Sequence, residues 1–68
     1  GVEYKPEQSS GYTVAGSNQP ASLAQLVAYA QNTPQGSKVN LLADIQAYLK
    51  NDPALLKAFL NMYAGKEK

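Results

Sequence analysis

From Ser22 onward, large apolar residues return every three or four positions, and proline-bearing turns interrupt them twice. A helix can bury that spacing along one stripe; a strand, with its period of two, cannot. The first run holds Leu23, Leu26, Val27 and Ala30, with Tyr29 at its edge. Ser22 followed by Gln25 has the form of a capping box, in which each side chain satisfies an amide left open at a helix start. These signals predict a first helix over about residues 22–32. The stretch Asn32-Thr33-Pro34-Gln35-Gly36-Ser37 then reads as a turn.

Leu41, Leu42, Ile45, Tyr48 and Leu49 share one arc of a second helix, expected over about 38–50, with Asp44, Gln46 and Lys50 opposite. Ser37 or Asn40 is the candidate cap. Asn51-Asp52-Pro53 ends that helix and starts another. Asp52 suits the N-cap, and Pro53 suits the first helical position, where no amide partner is needed. The third helix is expected over about 53–64, with Gly65 closing it and Lys66 and Lys68 complementing its dipole. Ala28-Tyr29-x-x-Asn32-Thr33-Pro34 is echoed by Ala47-Tyr48-x-x-Asn51-Asp52-Pro53. Two helix ends, each followed by cap and proline signals, account for the echo without a structural repeat. The expected fold is all-α: a small three-helix domain spanning residues 21–68.

Residues 1–20 have a different character. Pro6, Ser9, Ser10, Gly11, Gly16, Ser17, Asn18 and Pro20 punctuate them, and only Tyr4, Tyr12 and Val14 could anchor the segment. Such a composition predicts a flexible polar tail. The alternation in Gly11-Tyr12-Thr13-Val14 would also suit a short extended segment lying on the domain.

The chain of 68 residues has no cysteine and no histidine, so disulfides and thiolate or imidazole metal sites are excluded. Its carboxylates are Glu3, Glu7, Asp44, Asp52 and Glu67, and none forms the pair that acid–base hydrolysis needs. No serine has a base at a recognisable spacing, and there is no phosphate-cradling loop. A catalytic role, a cofactor and a small-molecule substrate are therefore not expected. With a net charge of +1 and six lysines but no arginine, long-range steering to nucleic acid and bidentate reading of guanine are not expected either. The polar helix faces carry glutamine, asparagine and alanine rather than lysine, which argues against a membrane surface. No apolar run approaches the roughly 18 residues of a membrane span. The chain is expected to be soluble; its compartment is open, with the cytoplasm as the default.

A core of this size, without disulfide or metal, gains stability by oligomerising or by docking on a partner. The third helix is the expected place. Leu55, Leu56, Phe59, Leu60, Met62 and Tyr63 form an apolar stripe of about 160°, wider than a contact with two helices requires. Ala43, Ala47, Ala54 and Ala58 would let another helix approach closely. The expectation is a non-catalytic protein–protein interaction module, an adaptor, assembly or regulatory subunit, that uses these six residues. The alternative is a small DNA-binding regulator in which the second and third helices form a helix-turn-helix. It would depend on Lys50 and Lys57, with affinity falling steeply with salt.

Overall fold

The structure is a computed structural model and describes residues 4–65. Three helices follow in chain order: α1 (Leu23–Asn32), α2 (Gln35–Leu49) and α3 (Pro53–Gly65). Together they hold 61% of the described residues, which establishes the all-α, three-helix architecture. The expected roles of Lys66 and Lys68 lie outside the described residues.

α1 is the centre of the molecule. Leu23, Leu26, Val27 and Ala30 are all buried, because their spacing places them on one stripe against both other helices. Ile45 and Leu49 from α2 close on that stripe, as do Leu55 and Phe59 from α3, with Ala21 sealing its N-terminal end. The Phe59 ring also stacks on Tyr63 one turn later, with centroids 6.1 Å apart. At the far end, the Gln31 side-chain amide donates to the Tyr63 carbonyl (3.2 Å). That bond ties the end of α1 to a carbonyl in the last turn of α3, where no intrahelical donor remains.

The capping signals act as their chemistry requires. The Ser22 hydroxyl accepts from the Gln25 amide (3.2 Å), and Gln25 Oε1 accepts from the Ser22 amide (3.0 Å), completing the capping box. Asp52 Oδ1 accepts from the Leu55 amide (3.3 Å) at the start of α3. α2 departs from expectation. It begins at Gln35 rather than near Lys38, and neither Ser37 nor Asn40 caps it; no side chain does. Pro34 is the extended N-cap residue (φ −56°, ψ 148°), and its carbonyl accepts from the Ser37 and Lys38 amides (2.9 and 2.8 Å), which closes the first turn at Gln35. Only Thr33 and Pro34 therefore separate the first two helices. Gly65 belongs to α3 rather than closing it from outside.

Residues 4–20, expected as a polar tail, have a specific place: they run back along the helices as a strap. The Ser10 amide donates to the Ala21 carbonyl (2.9 Å), and the Ala21 amide donates to the Tyr12 carbonyl (2.8 Å). Tyr4, Tyr12 and Val14 pack on the core. The two anchors in the Gly11–Val14 alternation thus face inward. The radius of gyration, 11.2 Å, matches the value of about 11 Å for a folded chain of this length, so the strap adds no extension.

Two turns in the strap use left-handed backbone, at Gly11 (φ 79°) and Gly16 (φ 85°). Gly16 stands in open space, whereas a Cβ at Gly11 would lie 3.2 Å from the Tyr48 hydroxyl. Gly16→Ala should therefore cost about 1 kcal/mol, from backbone strain alone. Gly11→Ala should cost about 2 kcal/mol, because it also displaces Tyr48. The urea midpoint of the helical circular dichroism signal measures both; equal losses would remove the contact at Tyr48 from the account.

Candidate interaction surface

The six stripe residues of α3 do not all reach the surface. Leu55 and Phe59 are buried and hold α3 to α1 and α2. Met62 is half-buried on one flank of that anchor line. On the other flank lie Leu56 and Tyr63, half-buried, and then Leu60, 38% exposed. At about 100° per residue the order outward from Phe59 is Tyr63, Leu56, Leu60. The wide arc read from the sequence therefore divides into an inner line that builds the core and an outer flank that meets solvent. Of the four alanines considered for close helix approach, Ala43 and Ala47 are exposed, while Ala54 and Ala58 are half-buried.

Among the described residues, two other large apolar side chains are well exposed. Val39 of α2 is 65% exposed. Tyr48, 51% exposed, is not the core residue its position on the apolar arc suggests. Its hydroxyl donates to the Gly11 carbonyl (2.7 Å), and its ring meets Tyr12 edge-to-face with centroids 5.5 Å apart. Tyr48 clamps the strap from the helix side.

The strap answers with two phenols of its own. The Tyr12 hydroxyl donates to Asp44 Oδ2 (2.5 Å), and the Tyr4 hydroxyl donates to Asp52 Oδ2 (3.2 Å). Asp52 thus serves twice, one oxygen capping α3 and the other holding the strap. Asp44, which the sequence leaves isolated on a polar face, is the acceptor for the middle of the strap. These pairs are separated by 32 and 48 positions, and no local spacing rule connects residues so far apart. The weak alternation around Tyr12 is the only sequence signal that points toward them.

Each phenol is held protonated by its carboxylate. The hydrogen bond to Asp44, then partial desolvation, then the charge of Asp44 push the Tyr12 hydroxyl up to about 12 from the usual 10.0. The bond to Asp52 raises Tyr4 in the same way. Among the described residues, no group of three or more carboxylate, histidine or cysteine side chains is placed to hold a metal ion. No helix among them is long and apolar enough to cross a membrane. Lys50 and Lys57, on which the DNA-binding alternative depends, are both exposed.

The fold and this surface define a small three-helix domain with an N-terminal strap. No protein family, no curated protein and no solved structure matches the chain.

Raised phenol values make the strap's attachment sensitive to alkali. A phenol whose folded value lies above its unfolded one stabilises the fold fully below pH 10.0, and that contribution is lost as pH rises through about 12. In a spectroscopic titration of phenolate absorbance, Tyr12 and Tyr4 should ionise above the usual 10.0. Asp44→Asn should bring Tyr12 back toward its ordinary value and leave Tyr4 late. Ionisation of Tyr12 and Tyr4 at the ordinary 10.0 would show that the phenol–carboxylate pairs do not persist in solution.

Proposed function

We propose that this chain is a non-catalytic protein–protein interaction module, an adaptor, assembly or regulatory subunit, that engages another protein or a second copy of itself through the outer flank of α3. The observation that carries the reading is the exposure of Leu60 (38%) beside half-buried Leu56 and Tyr63. A leucine at that position leaves apolar surface in water that the domain's own core does not cover. Removing it from water is favourable by about 25 cal/mol for each Å².

Three features support the reading. The flank stands on a helix anchored by the fully buried Phe59, so it is presented rigidly and little ordering entropy is lost on binding. Lys57 borders the flank and supplies a polar rim, the usual arrangement around an apolar contact patch. The domain's own core comprises nine buried apolar residues, so a docked partner would add substantially to a small stability margin. Met62 stays within the proposed set as a half-buried neighbour on the opposite flank. Leu55 and Phe59 contribute by holding the helix in place.

The test compares amide proton–nitrogen correlation spectra across a hundredfold dilution for the native chain and for Leu60→Glu. Self-association through this flank predicts shifts with concentration at the amides of Leu56, Leu60 and Tyr63. Leu60→Glu should abolish those shifts, weakening association at least tenfold, while helicity is unchanged. Peaks fixed in both chains would direct the search to a foreign partner. If Leu60→Glu unfolds the domain, Leu60 belongs to the core and the proposed surface is wrong.

A further inference from the structure

We propose that residues 4–14 form a releasable strap, which opens as one unit on a hinge at residues 15–20 while the three helices stay folded, and that the phenol–carboxylate pairs are its latch. The inference rests on how the strap is attached and is independent of the α3 surface.

Every residue from Ala15 to Pro20 is exposed. The bonds within this hinge are local: the Ser17 amide to the Val14 carbonyl (3.1 Å), and the Ser17 hydroxyl to the Gln19 carbonyl (3.0 Å). Gly16 has open space around it. Nothing in the hinge therefore resists a change of backbone direction except its own turn. Within the strap itself only Ser10 is buried, and its hydroxyl donates to the Ala21 carbonyl (2.8 Å). The apolar strap residues Tyr4, Tyr12 and Val14 are half-buried. Eight of the nine buried core residues stand on the helices, the exception being Ala21. Detaching the strap thus removes partial apolar cover and a set of hydrogen bonds, and leaves the helical core in contact with itself. Segments with few buried apolar contacts open below the free energy of global unfolding.

The attachments are also coupled. The Leu23 and Ala24 amides donate to the Gln8 and Pro6 carbonyls (2.8 and 2.9 Å). Tyr12 and Tyr48 are joined through both the ring contact and the Gly11 carbonyl. Loss of one bond moves the backbone that makes the next, so the strap leaves as a unit. Its release bares the start of α1 and the core edge under Tyr4, Tyr12 and Val14, a face that exists only in the open state.

Native-state amide exchange on the full chain tests this. The amides of Ser10, Ala21, Leu23 and Ala24, which bond across the boundary between strap and helix, should exchange through one common opening. That opening should be faster than the exchange of Ile45, Leu49 and Phe59, and less dependent on low urea, because less surface is exposed. Tyr12→Phe, which keeps the ring and deletes the donor, should accelerate the first group roughly fivefold to tenfold and leave the second unchanged. Exchange of both groups at one rate with one urea dependence in the native chain would overturn the proposal. So would acceleration of both groups alike by Tyr12→Phe. If the four boundary amides exchanged at unrelated rates, the strap would not be a unit, and the proposal would also fail.

Discussion

The start of α1 is where the structure is decided. A helix leaves its first amides without intrahelical acceptors, and α1 is the most buried of the three helices, so its start is where partners from outside the helix matter most. The chain answers from two sources. Ser22 and Gln25 satisfy each other's amides through the capping box, and the Leu23 and Ala24 amides donate to the carbonyls of Gln8 and Pro6 in the strap. Four donors are thus matched, half by local side chains and half by backbone from well upstream. The docked strap thus completes the start of α1, while the packing of α2 and α3 on α1 rests on side chains of the helices themselves. An isolated bridge between Ser9 and Ser22 marks the same crossing.

The rest of the strap is held by phenol hydroxyls and by the half-buried packing of Tyr4, Tyr12 and Val14 on the core. For a chain with so few charges this is an economical arrangement. A neutral donor on an ionised carboxylate gives a stronger bond than two neutral groups, without burying a second charge. Asp44 and Asp52 are used in this way, and Tyr48 returns a hydroxyl to the strap backbone. Among the described residues, no buried side-chain nitrogen or oxygen lacks a partner, so the polar crossing at Ser10 adds no unsatisfied group to a small core. Because the latch is polar and the helices keep the large buried side chains, attachment and core stability are set by different interactions.

The same division of labour shapes α3. A stripe too wide for one contact divides between Leu55 and Phe59, which the domain uses, and Leu56, Tyr63 and Leu60, which it uses progressively less. The width was legible in the sequence. Where the line between core and surface falls was not, because it depends on the angle at which α3 meets α1 and α2. Tyr48 shows the same limit from the other side. Helical periodicity assigns it to the apolar arc, yet it stands half in solvent because the strap, not a helix, covers that edge of α2.

Local chemistry determined the three helices, the capping box at Ser22, the Asp52-Pro53 start and the stripe that α1 buries. Each depends on residues within about one turn of one another, so the information is present in a short window. Two helix ends differ from the local signals: α2 starts before Ser37 and Asn40 because the Pro34 carbonyl takes the Ser37 and Lys38 amides, and Gly65 is the last residue of α3 rather than its cap. Tertiary structure alone decided the course of residues 4–20 and the pairing of Tyr4 with Asp52 and Tyr12 with Asp44. Glycine, serine and proline specify no partner. The acceptors they meet are offered by helices that must first pack together, at sequence separations over which no periodicity carries information.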